Sequence, residues 1–219
     1  MSVSIYDARL LLTGLLTTLA LAVVGCGAGF LCGFAVAISR TTRSRGMAPL
    51  RAALYGYCLL FRRVPFLVTL FLVFFVSQSV NADLSTFAVA LLTLCLIATA
   101  YLSEIIRGGL ESVHSGQWQA ARALNFSYWQ ALRYVIVPQA WRVIVPPAVG
   151  FFVMFIKDTA LASQIGVMEL TSAGKVLGNK GLPSMLVYGM ILLLYFVISY
   201  PLTRLGKRAE RKLAVTRNR

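Results

Sequence analysis

The chain has 219 residues, of which 58% are hydrophobic and 13% are charged, and its mean hydropathy is +0.78. A water-soluble domain of this size could not bury that much apolar surface behind so few charges, so the composition predicts an integral membrane protein. The net charge of +14 does not indicate nucleic-acid binding, because no RNA-binding motif accompanies it and most basic residues flank apolar stretches. We expect one transmembrane domain over residues 1–219.

Five apolar stretches reach or approach the roughly 20 helical residues that a bilayer crossing requires. The second stretch is short, and it could extend back through Tyr55 to Phe61. We expect the first stretch to be retained, since no secretion signal is evident before it. The sequence therefore predicts an all-α membrane protein with about five transmembrane helices, near residues 13–39, 66–80, 87–106, 134–156 and 185–202.

Basic residues are distributed unevenly between the two sides of these spans. Seventeen lie on the side reached after spans one, three and five, against four on the other side, namely Arg9, Lys157, Lys175 and Lys180. Because connections rich in Lys and Arg stay in the cytoplasm, we predict an outside amino terminus and a cytoplasmic carboxyl terminus. The seventeen are Arg40, Arg43, Arg45, Arg51, Arg62, Arg63, Arg107, Arg122, Arg133, Arg142, Arg204, Lys207, Arg208, Arg211, Lys212, Arg217 and Arg219.

Small residues follow one face of the first span, at Gly25, Gly29, Gly33 and Ala37. Such a seam lets another helix approach closely, and the sequence leaves open whether that helix belongs to this chain or to a partner. The glycines do not indicate a dinucleotide-binding loop, because no strand precedes them.

Residues typical of a metal or catalytic site are scarce. The cysteines form no C-x-x-C pair, which favours apolar packing over a disulfide or a metal site. We interpret His114, the only histidine, as a solvated loop residue rather than a proton relay, because no acid is nearer than Glu111. A membrane-embedded enzyme would need clustered polar groups, so we predict that the chain is not an enzyme. The cysteines are Cys26, Cys32, Cys58 and Cys95.

The connection between spans three and four carries the most informative pattern. Residues Trp118 to Asn125 are rich in Ala with Gln and Arg, which predicts a short amphipathic helix. The surrounding sequence resembles, without a gap, the signature cytoplasmic loop of ABC importer permeases, E-A-A-x(3)-G-x(9)-I-x-L-P. The matching positions are Gln119, Ala120, Ala121, Asn125, Val135, Val137 and Pro138.

Flanking motifs resemble the branch of that family that imports polar amino acids such as histidine, glutamine, glutamate and arginine. Departures are Gln119 and Asn125 for the usual Glu and Gly, Gly150 for an Asn, and R-R-V-P at 62–65 for R-G-T-P. The motifs that match are Glu104 with Arg107-Gly108-Gly109, Ser112-Val113, Gly116-Gln117, Ala120-Ala121-Arg122-Ala123-Leu124, Pro138-Gln139-Ala140, Pro146-Pro147, Lys157-Asp158-Thr159, Ile165-Gly166-Val167 and Glu169-Leu170-Thr171.

The resemblance implies a type I ABC importer permease of the bacterial inner membrane, forming half of the pathway for a polar amino acid delivered by an extracytoplasmic binding protein. A second copy or a homologous permease would complete the pathway within the membrane lipid. This chain is expected to bind no cofactor, and the nearest Gly-Lys pair, Gly174-Lys175, lacks the Walker A pattern. ATP and Mg would therefore bind to a separate ATPase.

The resemblance also assigns ATPase coupling to the loop at about residues 108–133. Helix-in-groove docking is a common recognition mode, and we expect Ala120, Ala121 and Leu124 to enter the ATPase groove with Arg122 pairing at its rim. We also expect Ala121→Asp to uncouple transport. The whole coupling set is Gly116, Gln117, Gln119, Ala120, Ala121, Arg122, Ala123 and Leu124.

Residues of the solute pathway are expected among polar groups near membrane depth, where a charge costs about 2.5–3.5 kcal/mol on insertion scales. Span four carries Arg142 and three prolines, which favours a kinked helix that lines a pathway. The ionisable groups could instead be interfacial, and Lys157 could pair with Asp158. The expected pathway residues are Arg62, Pro65, Glu104, Lys157, Asp158, Thr159 and Gln164.

The alternative to an ATP-driven importer is an ATP-independent secondary carrier or channel for a small polar solute. Such carriers often contain paired internal repeats, and none is evident here. An odd number of spans also disfavours a simple duplication. Uptake by the isolated chain without nucleotide would support this alternative.

Overall fold

The structure, a computed structural model, describes residues 4–42 and 45–215. Arg43, Arg217 and Arg219, which entered the charge count above, lie outside the described residues. The helices are α1 (Ile5–Thr41), α2 (Ala48–Arg63), α3 (Phe66–Ser79), α4 (Thr86–Glu111), α5 (Ser115–Ala123), α6 (Tyr128–Ala131), α7 (Val137–Asp158), α8 (Leu170–Asn179) and α9 (Ser184–Val215). Short 3-10 helices cover Arg45–Met47 and Thr159–Ile165, and a π turn covers Leu132–Ile136.

Four long apolar helical segments match predicted spans one, three, four and five. They are α1, α4, the continuous run Tyr128–Ile165 and the segment Ser184–Lys212 of α9. Backbone polar groups inside a bilayer must form their hydrogen bonds within the segment, so a long apolar stretch has to be a helix. Length and apolar composition were therefore sufficient to predict these four segments.

The second predicted span differs from a straight helix. Its 14-residue helix α3 is preceded by α2, and the two helices are bent by 114°. Pro65 has no N–H group and it disfavours helical backbone at the preceding residue, so Val64 is extended with ψ 135°. The expected extension back through residues 55–61 is therefore helical, but it turns away as α2 rather than lengthening α3.

The small-residue seam of α1 packs against α4 of the same chain. An added Cβ at Gly25 would meet the Cβ of Leu94 at 3.2 Å, and one at Gly33 would meet the backbone N of Ser103 at 2.9 Å. At Gly29 it would collide with Ala98. The sequence left open whether the helix packed on this seam belongs to this chain or to a partner. It is α4 of the same chain, which runs parallel to α1 and in close contact with it.

A π turn precedes the proline of span four. The N–H of Val137 donates to the carbonyl of Leu132, five residues back, and Pro138 follows with no donor of its own. A wider turn at this point accommodates the missing hydrogen bond without ending the helix. The helical run therefore continues through Pro138 and through the pair Pro146-Pro147.

Aromatic side chains join α3, α4 and α7 near the centre of the molecule. Tyr101 stacks on Phe151 with ring centroids 5.4 Å apart, and Phe151 stacks on Phe155 at 5.0 Å. Phe155 meets the edge of Phe66 at 6.5 Å. Such contacts add to apolar burial, so the break between α2 and α3 is held against the core.

A buried carboxyl group fixes α8 against α1 and α9. Glu169 has no exposed surface and caps α8, its oxygens accepting from the N–H groups of Thr171 (2.9 Å) and Ser172 (2.7 Å) and from the hydroxyl of Tyr195 (3.1 Å). Thr18 of α1 accepts from the N–H of Leu170. Burial raises the pKa of the Glu169 carboxyl, and the hydrogen bonds oppose that rise.

Candidate functional site

Helix α5 lies in the connection between α4 and α7, where the sequence predicts a short helix from Trp118 to Asn125. The helix runs from Ser115 to Ala123, so the prediction is confirmed with its bounds shifted by about three residues. His114 is its N-cap, and its Nδ1 atom accepts from the N–H of Gly116 at 3.1 Å. His114 is exposed, as expected. It also accepts from one of the four backbone N–H groups that have no partner within the helix at its start.

The end of α5 explains one departure from the family pattern. Asn125 has a positive φ of 57°, and its N–H donates to the carbonyl of Arg122 at 2.9 Å. The N–H of Phe126 donates to the carbonyl of Ala121 at 3.0 Å. This pair of bonds is a Schellman motif, whose left-handed residue is usually Gly and sometimes Asn. Asn125 therefore replaces the signature Gly without changing the required backbone.

Three contacts tie α5 to its own chain. Trp118 stacks on Tyr128 with ring centroids 5.6 Å apart, and Ala121 is only 2% exposed. The Gln139 side chain donates from Nε2 to Oε1 of Gln117 at 3.2 Å, which links the inner turn of α7 to the connection. Helix α5 is thus in direct contact with the helical run that contains α7.

The free face of α5 is small and apolar, and it differs from the expected one. Ala121 is only 2% exposed and faces its own chain, so its expected entry into a partner groove stays a prediction. Ala120, Ala123 and Leu124 are exposed, Leu124 by 70%, and with Gly116 they share one side of the helix. We call Gly116, Ala120, Ala123 and Leu124 the docking face. Leu124 is the largest apolar side chain on it.

The remaining coupling residues lie at the side of α5. Gln119 and Arg122 line a cavity of about 1210 Å³ between α5 and the ends of α1 and α4. Both side chains are exposed, so Arg122 is available to an acidic group outside the chain. Its expected pairing at a groove rim stays a prediction.

Glu104 is an ion-pair centre near the C-terminal ends of α1, α2 and α4. Its carboxylate lies 2.8 Å from Arg40 and 3.7 Å from Arg62, and it also pairs with Arg107. Arg62 lies over the Tyr101 ring at 5.7 Å, while Pro65 begins α3 and accepts from the Thr69 N–H. Three guanidinium groups occupy the carboxylate, which favours a structural role for Glu104 over the expected solute contact.

The outer candidates from the sequence separate into exposed and buried groups. Lys157 and Gln164 are exposed, and Asp158 is half-buried. Thr159 has no exposed surface and its hydroxyl donates to the carbonyl of Ile156 at 2.7 Å, and its expected solute contact stays a prediction. Across the described ranges, no ion pair within 4.0 Å joins Lys157 to Asp158.

Sequence reasoning missed two residues of this region. Arg40 is only 9% exposed at its side chain and holds Glu104, but in sequence it is one of many basic residues that follow a span. His114 caps α5, and the signal was available, since it stands two residues before the Gly of the matched Gly116-Gln117 pair. A polar acceptor just before an Ala-rich run is a helix-start signal.

Comparison with known proteins places the chain among transport components. Residues 28–215 match the family model described as "Binding-protein-dependent transport system inner membrane component". The chain is 35% identical over 201 residues to the L-cystine transport system permease protein TcyB of Bacillus subtilis, covering 91% of this chain and 85% of that protein. It is 31% identical over 208 residues to the glutamine transport system permease protein GlnP of Escherichia coli, covering 94% of each.

A solved structure agrees over nearly the whole length. A chain from the crystal structure of an amino acid ABC transporter with histidines superposes with a TM-score of 0.85 at 28% identity, covering 97% of this chain and all of that one. The fold is also similar to that of a chain of the MetNI methionine ABC transporter in an inward-facing conformation, with a TM-score of 0.81 at 24% identity and 96% of this chain covered. The type I importer permease fold predicted from the sequence is thereby confirmed.

Proposed function

Since the chain belongs to the family of binding-protein-dependent transport system inner membrane components, we propose that it carries a polar amino acid through the membrane, powered by a separate ATPase. An extracytoplasmic binding protein would deliver the amino acid, and a second copy or a homologous permease would complete the pathway. ATP and Mg belong to the ATPase. The names of relatives that transport glutamine and L-cystine support the substrate class.

The observation that carries the proposal is the free face of α5. A nine-residue helix exposes Ala120, Ala123 and Leu124 outward while Ala121 and Trp118 anchor it inward. A small apolar face with one protruding leucine suits insertion into a groove, where close approach gains contacts along the helix. We assign this docking face to the ATPase and Arg122 to the groove rim.

The charge distribution supports the orientation. Arg62, Arg107 and Arg122 lie at the α5 end, whereas Lys175 and Lys180 lie at the α8 end. On the positive-inside rule the α5 end is cytoplasmic, and the α8 end faces the binding protein. In this orientation Lys157, Asp158 and Gln164 border the outer part of the solute pathway.

The experiment is co-purification and uptake with the partner ATPase. Leu124→Asp places a charge in the groove, and we expect loss of at least nine-tenths of the bound ATPase and of ATP-driven amino acid uptake in proteoliposomes. Ala120→Glu should act in the same way.

The matched control is Leu84→Asp, the same change at a 47% exposed leucine in the connection between α3 and α4. It should retain ATPase binding. Full uptake by Leu124→Asp would overturn the docking assignment, and ATP-independent uptake by the chain alone would overturn the proposed function.

A further inference from the structure

The free face of α9 changes in character from the α8 end of the molecule to the α5 end. Leu192 is 66% exposed, Phe196 is 57% exposed, and Tyr200, about one turn farther on, is 43% exposed. Four exposed basic side chains follow, and at about 100° per residue they fall on the same half of the helix as these three. We call these four the basic row, and they are Arg204, Lys207, Arg208 and Arg211.

The opposite half of α9 packs against the chain. Ile191 is 6% exposed and Ser199 is 8% exposed. An added Cβ on Gly206 would meet Val149 of α7 at 2.8 Å. Helix packing therefore occupies one side of α9, and the free face points away from the part of the chain that the structure describes.

Side-chain contacts join the apolar and basic parts of the free face. Phe196 stacks on Tyr200 with ring centroids 5.1 Å apart, and the guanidinium of Arg204 lies 5.0 Å from the Tyr200 ring centroid. Arg204 also donates to the Tyr200 hydroxyl. Tyrosine has an apolar ring and a polar hydroxyl, and it is enriched where the hydrocarbon of a bilayer meets the headgroups. The Tyr200–Arg204 pair therefore marks the membrane border on α9.

The packing of α7 gives the depth of this border independently. An added Cβ on Gly206 would meet Val149, and one on Gly109 of α4 would meet Ile144, five residues or about 7.5 Å back along α7. Because α4 and α7 are consecutive spans that run in opposite directions, the same distance along α4 leads from Gly109 back to Glu104. Charged residues thus begin at one level on α4 and α9. The lipid beside the basic row is therefore headgroup rather than hydrocarbon.

A second copy of this chain matches the free face poorly. A two-fold contact sets a surface against itself, so the basic row would meet the same four basic side chains. The single acidic residue of α9, Glu210, stands against five basic ones, since Lys212 follows the row. An anionic phospholipid, by contrast, complements the charge, and its acyl chains suit the apolar part of the same face.

We propose that the basic row binds the phosphate groups of anionic phospholipids in the leaflet at the α5 end, which is cytoplasmic in the proposed orientation. The acyl chains would lie along Leu192 and Phe196, with the headgroup at Arg204 and Lys207. Basic clusters next to a span attract anionic lipid, and each Lys or Arg near the surface strengthens the attraction about fivefold. This inference goes beyond the proposed transport, because neither solute nor nucleotide takes part in it.

The test is native mass spectrometry of the full chain, in the assembly in which it purifies in detergent. The protein is titrated with phosphatidylglycerol or with phosphatidylcholine of identical acyl chains, and the spectra give a Kd for each lipid. We expect phosphatidylglycerol to bind about tenfold more tightly at low salt. The preference should shrink as the ionic strength rises, because salt screens exposed charges.

Charge variants locate the source of the preference. Arg204→Gln combined with Lys207→Gln should lower the ratio of the two Kd values at least fivefold, whereas Arg204→Lys combined with Lys207→Arg should keep it within about twofold. Glu210→Gln removes the acid beside the row and should raise the ratio. The matched control is Arg63→Gln combined with Arg133→Gln, at two exposed arginines outside α9, and it should leave the ratio within about twofold.

Equal affinities for the two lipids would overturn the proposal, and so would an equal loss in the control, which would show that only total charge matters. If the variants of the basic row release a second copy or the ATPase and leave the lipid preference unchanged, the face is a protein contact and the proposal is wrong. Uptake is not measured, so failure of this inference is distinguishable from failure of the proposed function, which the α5 variants test.

Discussion

Two glutamates at opposite ends of the molecule are stabilised in different ways. At the α8 end, Glu169 is fully buried and is satisfied by two backbone N–H groups and one hydroxyl of its own chain. At the α5 end, Glu104 is 20% exposed and binds guanidinium groups from three helices. The first arrangement is dry and local, while the second is partly hydrated and gathers several elements.

The apolar side chains near the two glutamates also differ in how exposed they are. Near Glu169, Leu170, Leu177 and Val187 are buried in one cluster with α1. Near α5, by contrast, Leu124 is 70% exposed and Trp129 is 64% exposed. The cluster beneath α8 is therefore packed within the chain, but Met185 and Tyr6 at the same end are 91% and 75% exposed, so both ends leave apolar surface.

The largest effect should come from breaking the α8 end. Glu169→Ala leaves two helix donors and the Tyr195 hydroxyl without their acceptor, so we expect a loss of roughly 2–3 kcal/mol of stability. Thermal unfolding in detergent would show it as a lower Tm. Glu111→Ala, at a 55% exposed carboxylate, is the control and should change Tm little. Equal losses would refute the contrast between the ends.

The next effect tests the α5 end through its backbone. Asn125→Val puts a β-branched residue at φ 57°, which costs about 1–2 kcal/mol, so we expect ATPase affinity to fall about tenfold. Asn125→Gly should bind normally. Asn81→Val imposes similar strain at φ 51° in the connection between α3 and α4, and it should leave ATPase affinity unchanged. Titration of the purified ATPase onto the permease measures all three.

A smaller effect concerns pH. Burial raises the pKa of Glu169 in the folded protein above its value in the unfolded chain. The stabilisation that the protonated carboxyl gives is therefore fully present below the unfolded-state pKa, and it is lost as the pH rises through the folded-state pKa. The Tm of the native protein minus that of Glu169→Gln should therefore decrease from acidic to neutral pH. A difference that increases over this range would contradict the burial argument.

The smallest effect is expected at the outer ion pair. Lys180 lies 2.8 Å from Asp7 but its side chain is 52% exposed, so solvent screens the attraction. Lys180→Gln should cost less than about 1 kcal/mol and shift Tm by no more than a few degrees. A loss as large as that of Glu169→Ala would show that the exposed pair, rather than the buried carboxyl, holds the α8 end together.

Much of the fold was predictable because membrane spans obey a simple length and composition rule. The bend at Pro65 was not predicted, although the proline is evident in the sequence. The effect of a proline on the helix direction depends on whether the following helix can pack at another angle. The seam of α1 was predicted, but its partner α4 was not, because small residues show that a helix is approached closely without showing by which one.

Helix α5, which we propose as the coupling helix, was predicted in position and less well in orientation. Spacing identified residues 116–124, yet the side that Ala121 faces depends on Trp118 stacking on Tyr128, which lies beyond the helix. The expected solute-path residues stay predictions. Glu104, Lys157 and Thr159 resemble one another as polar residues near membrane depth, and only the surrounding packing separates an ion-pair centre, an exposed cation and a buried hydroxyl.

The contact of Gly29 and Gly33 with α4 has a consequence for motion. A slide of α1 along α4 by one residue, about 1.5 Å, would drive side chains into backbone at positions where there is no spare volume. These two helices therefore move together as one rigid body. A rearrangement that opens the protein first to one side and then to the other would leave this border intact and change the angles of other elements, such as the bent pair α2–α3.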